Sequence, residues 1–260
     1  MFPRMPTRNI NRVRPVIRAL NTGVLAGLLI ATAARGRVDG DTHMKTRMIP
    51  ALPEIPAWAD IDAASTGVPA LPFRQDWLEV PDPALQPGDV AVMQTPSRLL
   101  VMARMTDAHA ENPSRGINGL HFLKGDVFEV FLKPPDGEAY WEIHVTPEGE
   151  TYQVRIPSVG EFQARRKAGL PIDELVRPFL LDPPVAKVMA RKVEARPGWD
   201  ALILFPLPAD AQGDWRFSAC RYDSDGSGKP VLSSISPLTR PDFHFQPDWR
   251  VIQVGPPTAP

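Results

Sequence analysis

Three short apolar runs, DVFEVFLK (residues 126–133), YWEIHVT (140–146) and TYQVRI (151–156), follow one another with only turn residues between them. The first break is Pro134, Pro135, Asp136 and Gly137, and the second is Pro147, Glu148 and Gly149. Proline presets φ at the entry to a turn and glycine supplies the positive φ at its exit, so both breaks read as tight reversals. The three runs therefore predict an antiparallel meander. Similar runs at residues 98–105, 186–194, 201–206 and 215–223 bring the number of expected strands to at least seven, the pattern of a sandwich. Proline reinforces this: 31 residues of 260 are proline, more than double the usual share of about 5%. Few long helices survive that density. Only residues 160–175 look helical or loop-like, and Pro171 interrupts them.

The expected architecture is an all-β, antiparallel, two-sheet sandwich of jelly-roll or immunoglobulin-like type spanning residues 71–256. Residues 35–70, with Pro50, Pro53, Pro56 and Pro69 and little periodicity, read as a Pro-rich linker. Residues 1–34 read as a signal peptide, with a short membrane anchor retained uncleaved as the alternative reading. Arg4, Arg8, Arg12, Arg14 and Arg18 form a basic start without an acid, residues 24–34 form an apolar core too short to span a bilayer, and Ala31 and Ala33 give a small-residue cleavage pattern. The expected location is periplasmic or secreted, with no membrane attachment after cleavage.

Charge narrows the partners. The whole chain carries −1; without the first 34 residues, which hold five arginines and no acid, 24 basic residues face 30 acidic ones, a net charge of about −6. A nucleic-acid binder needs a concentrated basic face to neutralise phosphates, and none is evident here. Cys220 is the single cysteine, which excludes an intramolecular disulfide.

The run 140–146 alternates Tyr140, Glu142, His144 and Thr146 with Trp141, Ile143 and Val145, so one face is polar and the other apolar. The run 126–133 places Glu129 among apolar neighbours, where a carboxylate needs a partner. Acids, a histidine and aromatic rings on one sheet face suit hydrogen bonding to sugar hydroxyls and stacking on sugar CH surfaces. The same pattern also describes the solvated outer face of a sandwich. Glu129 and Glu142 on adjacent strands could reach a glycosidase spacing, although no motif marks a catalytic acid and no nucleophile, zinc or phosphate-loop motif occurs. A haem reading would take His121 or His144 with Met102 or Met105 as axial ligands. A protein-interaction or assembly module of the cell surface is a further alternative. The sequence carries no signal of oligomeric state.

The blocks SRLLVMARMTD, GLHFLKGDVFEVFLKP and AYWEIHVTPEGETY, followed by DALILFPL, DWRFSACRYD and SSISPLTRPDFHFQPDW, resemble in order those of family 9 carbohydrate-binding modules, over roughly residues 71–254. The resemblance implies a non-catalytic, saccharide-binding module associated with polysaccharide catabolism. It makes Asp126 and Glu129 the acids of the signature strand, with Glu129 toward the ligand. Arg221 becomes the arginine of the late strand, and Phe243 and His244 a ring and a polar group near the site. Where the family places a tryptophan before the signature acid this chain has His121, Phe122, Leu123 and Lys124, so Phe122 with Phe243, or Trp249, would provide the stacking surface. Glu142 and His144 complete the expected polar set. Some members hold structural calcium, for which Asp223 and Asp225 in DSDGSG are the superficial match, with a plain hairpin turn as the alternative reading; no other cofactor is expected.

Overall fold

The computed structural model describes residues 43–224 and 229–255. The expected signal peptide, Asp225 and the last residue of the expected domain lie outside these. Among the described residues, thirteen strands form two sheets. Numbered along the chain, they are β1 (His43–Lys45), β2 (Arg47–Met48), β3 (Ala70–Pro72), β4 (Gly88–Thr95), β5 (Arg98–Met105), β6 (Val127–Lys133), β7 (Tyr140–Val145), β8 (Thr151–Ile156), β9 (Lys187–Lys192), β10 (Trp199–Pro206), β11 (Gly213–Asp223), β12 (Val231–Ser234) and β13 (Arg250–Val254). The larger sheet runs β1-β13-β11-β6-β7-β8, with β12 also on β11; the smaller runs β2-β4-β5-β10-β9, with β3 also on β4.

The meander is present as expected. β6 pairs β7 antiparallel with Glu129 opposite His144, and β7 pairs β8 with Glu142 opposite Val154. The two turns close on Gly137 and Gly149, both at positive φ, a conformation that disfavours any side chain. Pairing is antiparallel except at two edges, where β1 joins β13 and β2 joins β4 in parallel.

These parallel strands correct the linker reading. The described part of that segment carries β1, β2, the helix α1 (Trp58–Ser65) and the start of β3. Ile61 of α1 is fully buried and packs with Ile49, Met93, Leu100, Met102, Leu202 and Leu204 against the outer face of the smaller sheet. An apolar sheet face needs covering, and this segment covers it.

The inward faces of both sheets share one core, with Val101, Ala103, Phe128, Val130, Leu132, Ile143, Val145, Ile203, Phe205, Phe217 and Ala219 interdigitated between them. The outward face of the larger sheet has a core of its own. It includes Phe131, Tyr140, Tyr152 and Cys220, covered by Phe162 from α2 (Val159–Lys167), by Leu175 and Val176 from α3 (Ile172–Val176), and by Leu238, Phe243 and Trp249. Both helices match the one segment that read as helical or loop-like, overrunning it by one residue at each end. Pro171 interrupts the segment as expected and stands at the N-cap position of α3.

Candidate functional site

Alternation along β6 and β7 sends Phe128, Val130, Ile143 and Val145 inward, and Glu129, Phe131, Tyr140, Glu142 and His144 outward. The outward set was a candidate for a solvated polar face. It is covered instead: Glu129 is 2% exposed, Glu142 7%, and His144 not at all.

Burial forces these groups to satisfy one another. Nε2 of His144 lies 2.7 Å from Oε1 of Glu142 and 3.2 Å from Oε1 of Glu129. The other oxygen of Glu142 is 3.7 Å from Nε2 of His244, whose Nδ1 is 2.9 Å from the Tyr140 hydroxyl. Among the described residues, the ion-pair partners of Glu129 and Glu142 are histidines only. Burial pushes the Glu129 carboxyl up to about 8, with the nearby Glu142 charge adding and His144 opposing. Burial acts on Glu142 in the same sense, but the hydrogen bond from His144 and the charge of His244 outweigh it and hold its carboxyl below the ordinary value. Burial depresses His144, and the two glutamates more than reverse this.

Rings surround this cluster. Phe122, half-buried on a 3-10 turn just before β6, meets His144, Tyr152 and Tyr222 at centroid distances of 5.8, 6.4 and 5.9 Å. Phe243 meets Phe131 and Tyr222, and Phe162 of α2 stacks on His244 at 4.2 Å. Trp249 packs on Phe131 and Tyr140 and donates its indole N–H to the Phe243 carbonyl at 2.8 Å. Phe243 and Trp249 are thus buried supports, whereas Phe122, Tyr222 and His244 are half-buried and form the rim. Tyr222 and Tyr152 escaped the sequence reading, although both follow from the outward phase of β11 and β8 once Glu129 is placed outward.

The other two expected site residues lie elsewhere. Arg221 is opposite Phe128 in the β11–β6 register and therefore faces inward, on the far side of the sheet from Glu129. It is 1% exposed, and its Nη2 lies 2.9 Å from the Thr106 carbonyl, 3.1 Å from Asp107 and 3.0 Å from Asp223. Asp126, fully buried just before β6, accepts backbone N–H bonds from Ser224 at 2.7 Å and Glu111 at 2.8 Å. Gly125 before it lets the strand pass under the loop, since a Cβ there would meet the Glu111 carbonyl oxygen at 2.4 Å. Asp126 and Arg221 tie loops together at one end of the sandwich and take no part in the ring-lined cluster. Asp107, Asp126 and Asp223 could converge on a cation, but the guanidinium of Arg221 already pairs with Asp107 and Asp223.

The alternatives fare unequally. Glu129 and Glu142 are both buried against the one imidazole of His144 and are not set across an open cleft as a glycosidase pair is. His121 has both ring nitrogens engaged, Nδ1 with Ser114 Oγ at 2.6 Å and Nε2 with the Thr151 carbonyl at 3.3 Å. Met102 packs on the outer face of the smaller sheet and Met105 in the central core, so neither forms an axial pair with His121 or His144.

Neither a family model nor a curated protein sequence matches the chain. Solved structures do. A proposed carbohydrate-binding protein from Bacteroides uniformis superposes with a TM-score of 0.60 at 13% identity, over 81% of this chain and 98% of that one. A carbohydrate binding module of family 9 from Caldicellulosiruptor kristjanssonii, solved with cellotriose, gives 0.55 at 11% identity over 83% and 95%, and the glucose complex 0.53 at 12% over 82% and 96%. At these identities the likeness concerns the fold, and on that basis the described chain has the two-sheet sandwich fold of the family 9 carbohydrate-binding modules.

Proposed function

We propose that the protein binds a saccharide at the ring-lined outer face of the larger sheet. The observation that carries this reading is the buried Glu129–His144–Glu142 cluster bordered by the half-buried His244, Phe122 and Tyr222. A sugar presents an apolar CH face and directional hydroxyls, and this surface offers a ring for the first and ionised or imidazole groups for the second. Glu142 and His244 reach the hydroxyls; Glu129 and His144 fix Glu142; Phe243 and Trp249 hold the rim from below. The family 9 modules with cellotriose and with glucose make β-glucosides the first ligands to try.

Export through residues 1–34, a periplasmic or secreted location and a role in polysaccharide catabolism complete the proposal, supported by the basic and apolar runs of the leader and by the fold. A thermal-shift screen against mono- and oligosaccharides tests the binding. Ligand-dependent stabilisation that rises with concentration is expected. Silence from folded protein across the panel contradicts it and favours a protein-interaction role for the same face.

A further inference from the structure

The outward cluster brings more acceptor capacity to His144 than one imidazole nitrogen serves. Nε2 carries at most a single proton, yet it faces a carboxylate oxygen of Glu142 at 2.7 Å and one of Glu129 at 3.2 Å. Nδ1 is buried without a hydrogen-bond partner among the described residues whichever tautomer is present, so it favours neither arrangement. A cation on the Nε2 lone pair satisfies both carboxylates at once.

The geometry fits such an ion. One atom from each of Glu129, Glu142 and His144 lies within 4.8 Å of the others. Nitrogen and oxygen ligands about 2.0–2.1 Å from a tetrahedral zinc stand roughly 3.3–3.4 Å apart. The Nε2 separations of 2.7 and 3.2 Å need only small side-chain shifts to reach that spacing. The three ligands sit on adjacent strands β6 and β7, a rigid platform, and His244 with Tyr140 behind it lies against the second oxygen of Glu142 as an orienting group.

We propose that Glu129, Glu142 and His144 bind a divalent first-row transition-metal ion of the zinc class, through one oxygen of each glutamate and Nε2 of the histidine. Mixed imidazole and carboxylate donors select such ions, whereas calcium takes oxygen ligands in larger number. The site goes beyond the saccharide reading and can fail separately from it, because metal uptake is measured with no sugar present.

The test is isothermal titration of the full chain, stripped with chelator, with zinc, cobalt(II) and calcium chlorides, alongside metal analysis of protein purified without chelator. One equivalent of zinc or cobalt is expected to bind at micromolar or tighter affinity and to raise the melting temperature, with calcium inert. Cobalt should give the visible absorption of a four- or five-coordinate centre. Glu129→Gln and His144→Gln should each weaken zinc binding by roughly 100-fold or more; Glu129→Gln retains side-chain volume and supplies the folded control. Failure of folded wild-type protein to take up zinc or cobalt overturns the proposal, as does zinc affinity unchanged in both variants, or calcium binding more tightly than zinc.

Discussion

The larger sheet carries two buried clusters of acids, one on each face, and they are neutralised in opposite ways. At the inward end Asp107 and Asp223 pair with the guanidinium of Arg221, while Asp126 takes two backbone N–H donors. On the outward face Glu129 and Glu142 converge on one imidazole, with a second histidine at longer range and aromatic rings around them. An arginine among acids is a permanent, internally supplied counter-charge that closes loops. Histidines among acids leave a charge balance that protons or ligands can shift. The first arrangement is a structural clamp and the second has capacity to spare for binding.

The largest difference should appear on removing each cluster's cation. Arg221→Met leaves acids buried without their guanidinium and should cost about 3–5 kcal/mol in urea unfolding. His144→Gln keeps a hydrogen-bonding group against Glu142 and should cost about 1–3 kcal/mol in chelator-treated protein. Equal costs would dissolve the distinction.

The inward cluster should also set a pH dependence. Burial, reinforced by the charges of Asp107 and Asp223 and opposed by the N–H groups of Ser224 and Glu111, pushes the Asp126 carboxyl up to about 7. The folded state then holds a proton that the unfolded state releases near its ordinary value. The contribution of this group is fully present below about pH 4 and is lost as pH rises toward about 7, with a slope of at most about 1.4 kcal/mol per pH unit. Asp126→Asn should flatten that part of the stability profile measured by denaturation at successive pH values; an unchanged slope would assign it to other groups.

The smallest effect concerns Cys220, buried on the outward face opposite Glu129, where burial pushes its thiol far above the ordinary range. It should resist thiol reagents in native protein and react on unfolding. Rapid native labelling would show that the cover over the outward face opens readily.

Legibility in the sequence followed where the signals were local. The meander, β5 and the shared polar phase of Glu142 and His144 were readable from alternation and turn residues, while the placement of Glu129 toward the same side came from the family resemblance. β4 was missed although Pro96 and Ser97 mark its hairpin with β5, because the polar Gln94 and Thr95 end its apolar run early. β1 and β2 are three and two residues long, with no propensity signal; pairing with β13 and β4 defines them. The covering of the polar face depends on Phe162, Leu175, Leu238 and Phe243 arriving from distant segments. The placement of Arg221 depends on a single step of register that sends it inward.

The most direct test of the central claim is calorimetric titration of the wild type, Phe122→Ala and Arg221→Lys with cellotriose. The account predicts saturable binding by the wild type, a loss of about tenfold or more in Phe122→Ala as the stacking ring goes, and little change in Arg221→Lys, provided it remains folded, because Arg221 lies on the opposite face. Wild-type binding that survives in Phe122→Ala and is lost in folded Arg221→Lys would place the ligand at the inward cluster and contradict the account.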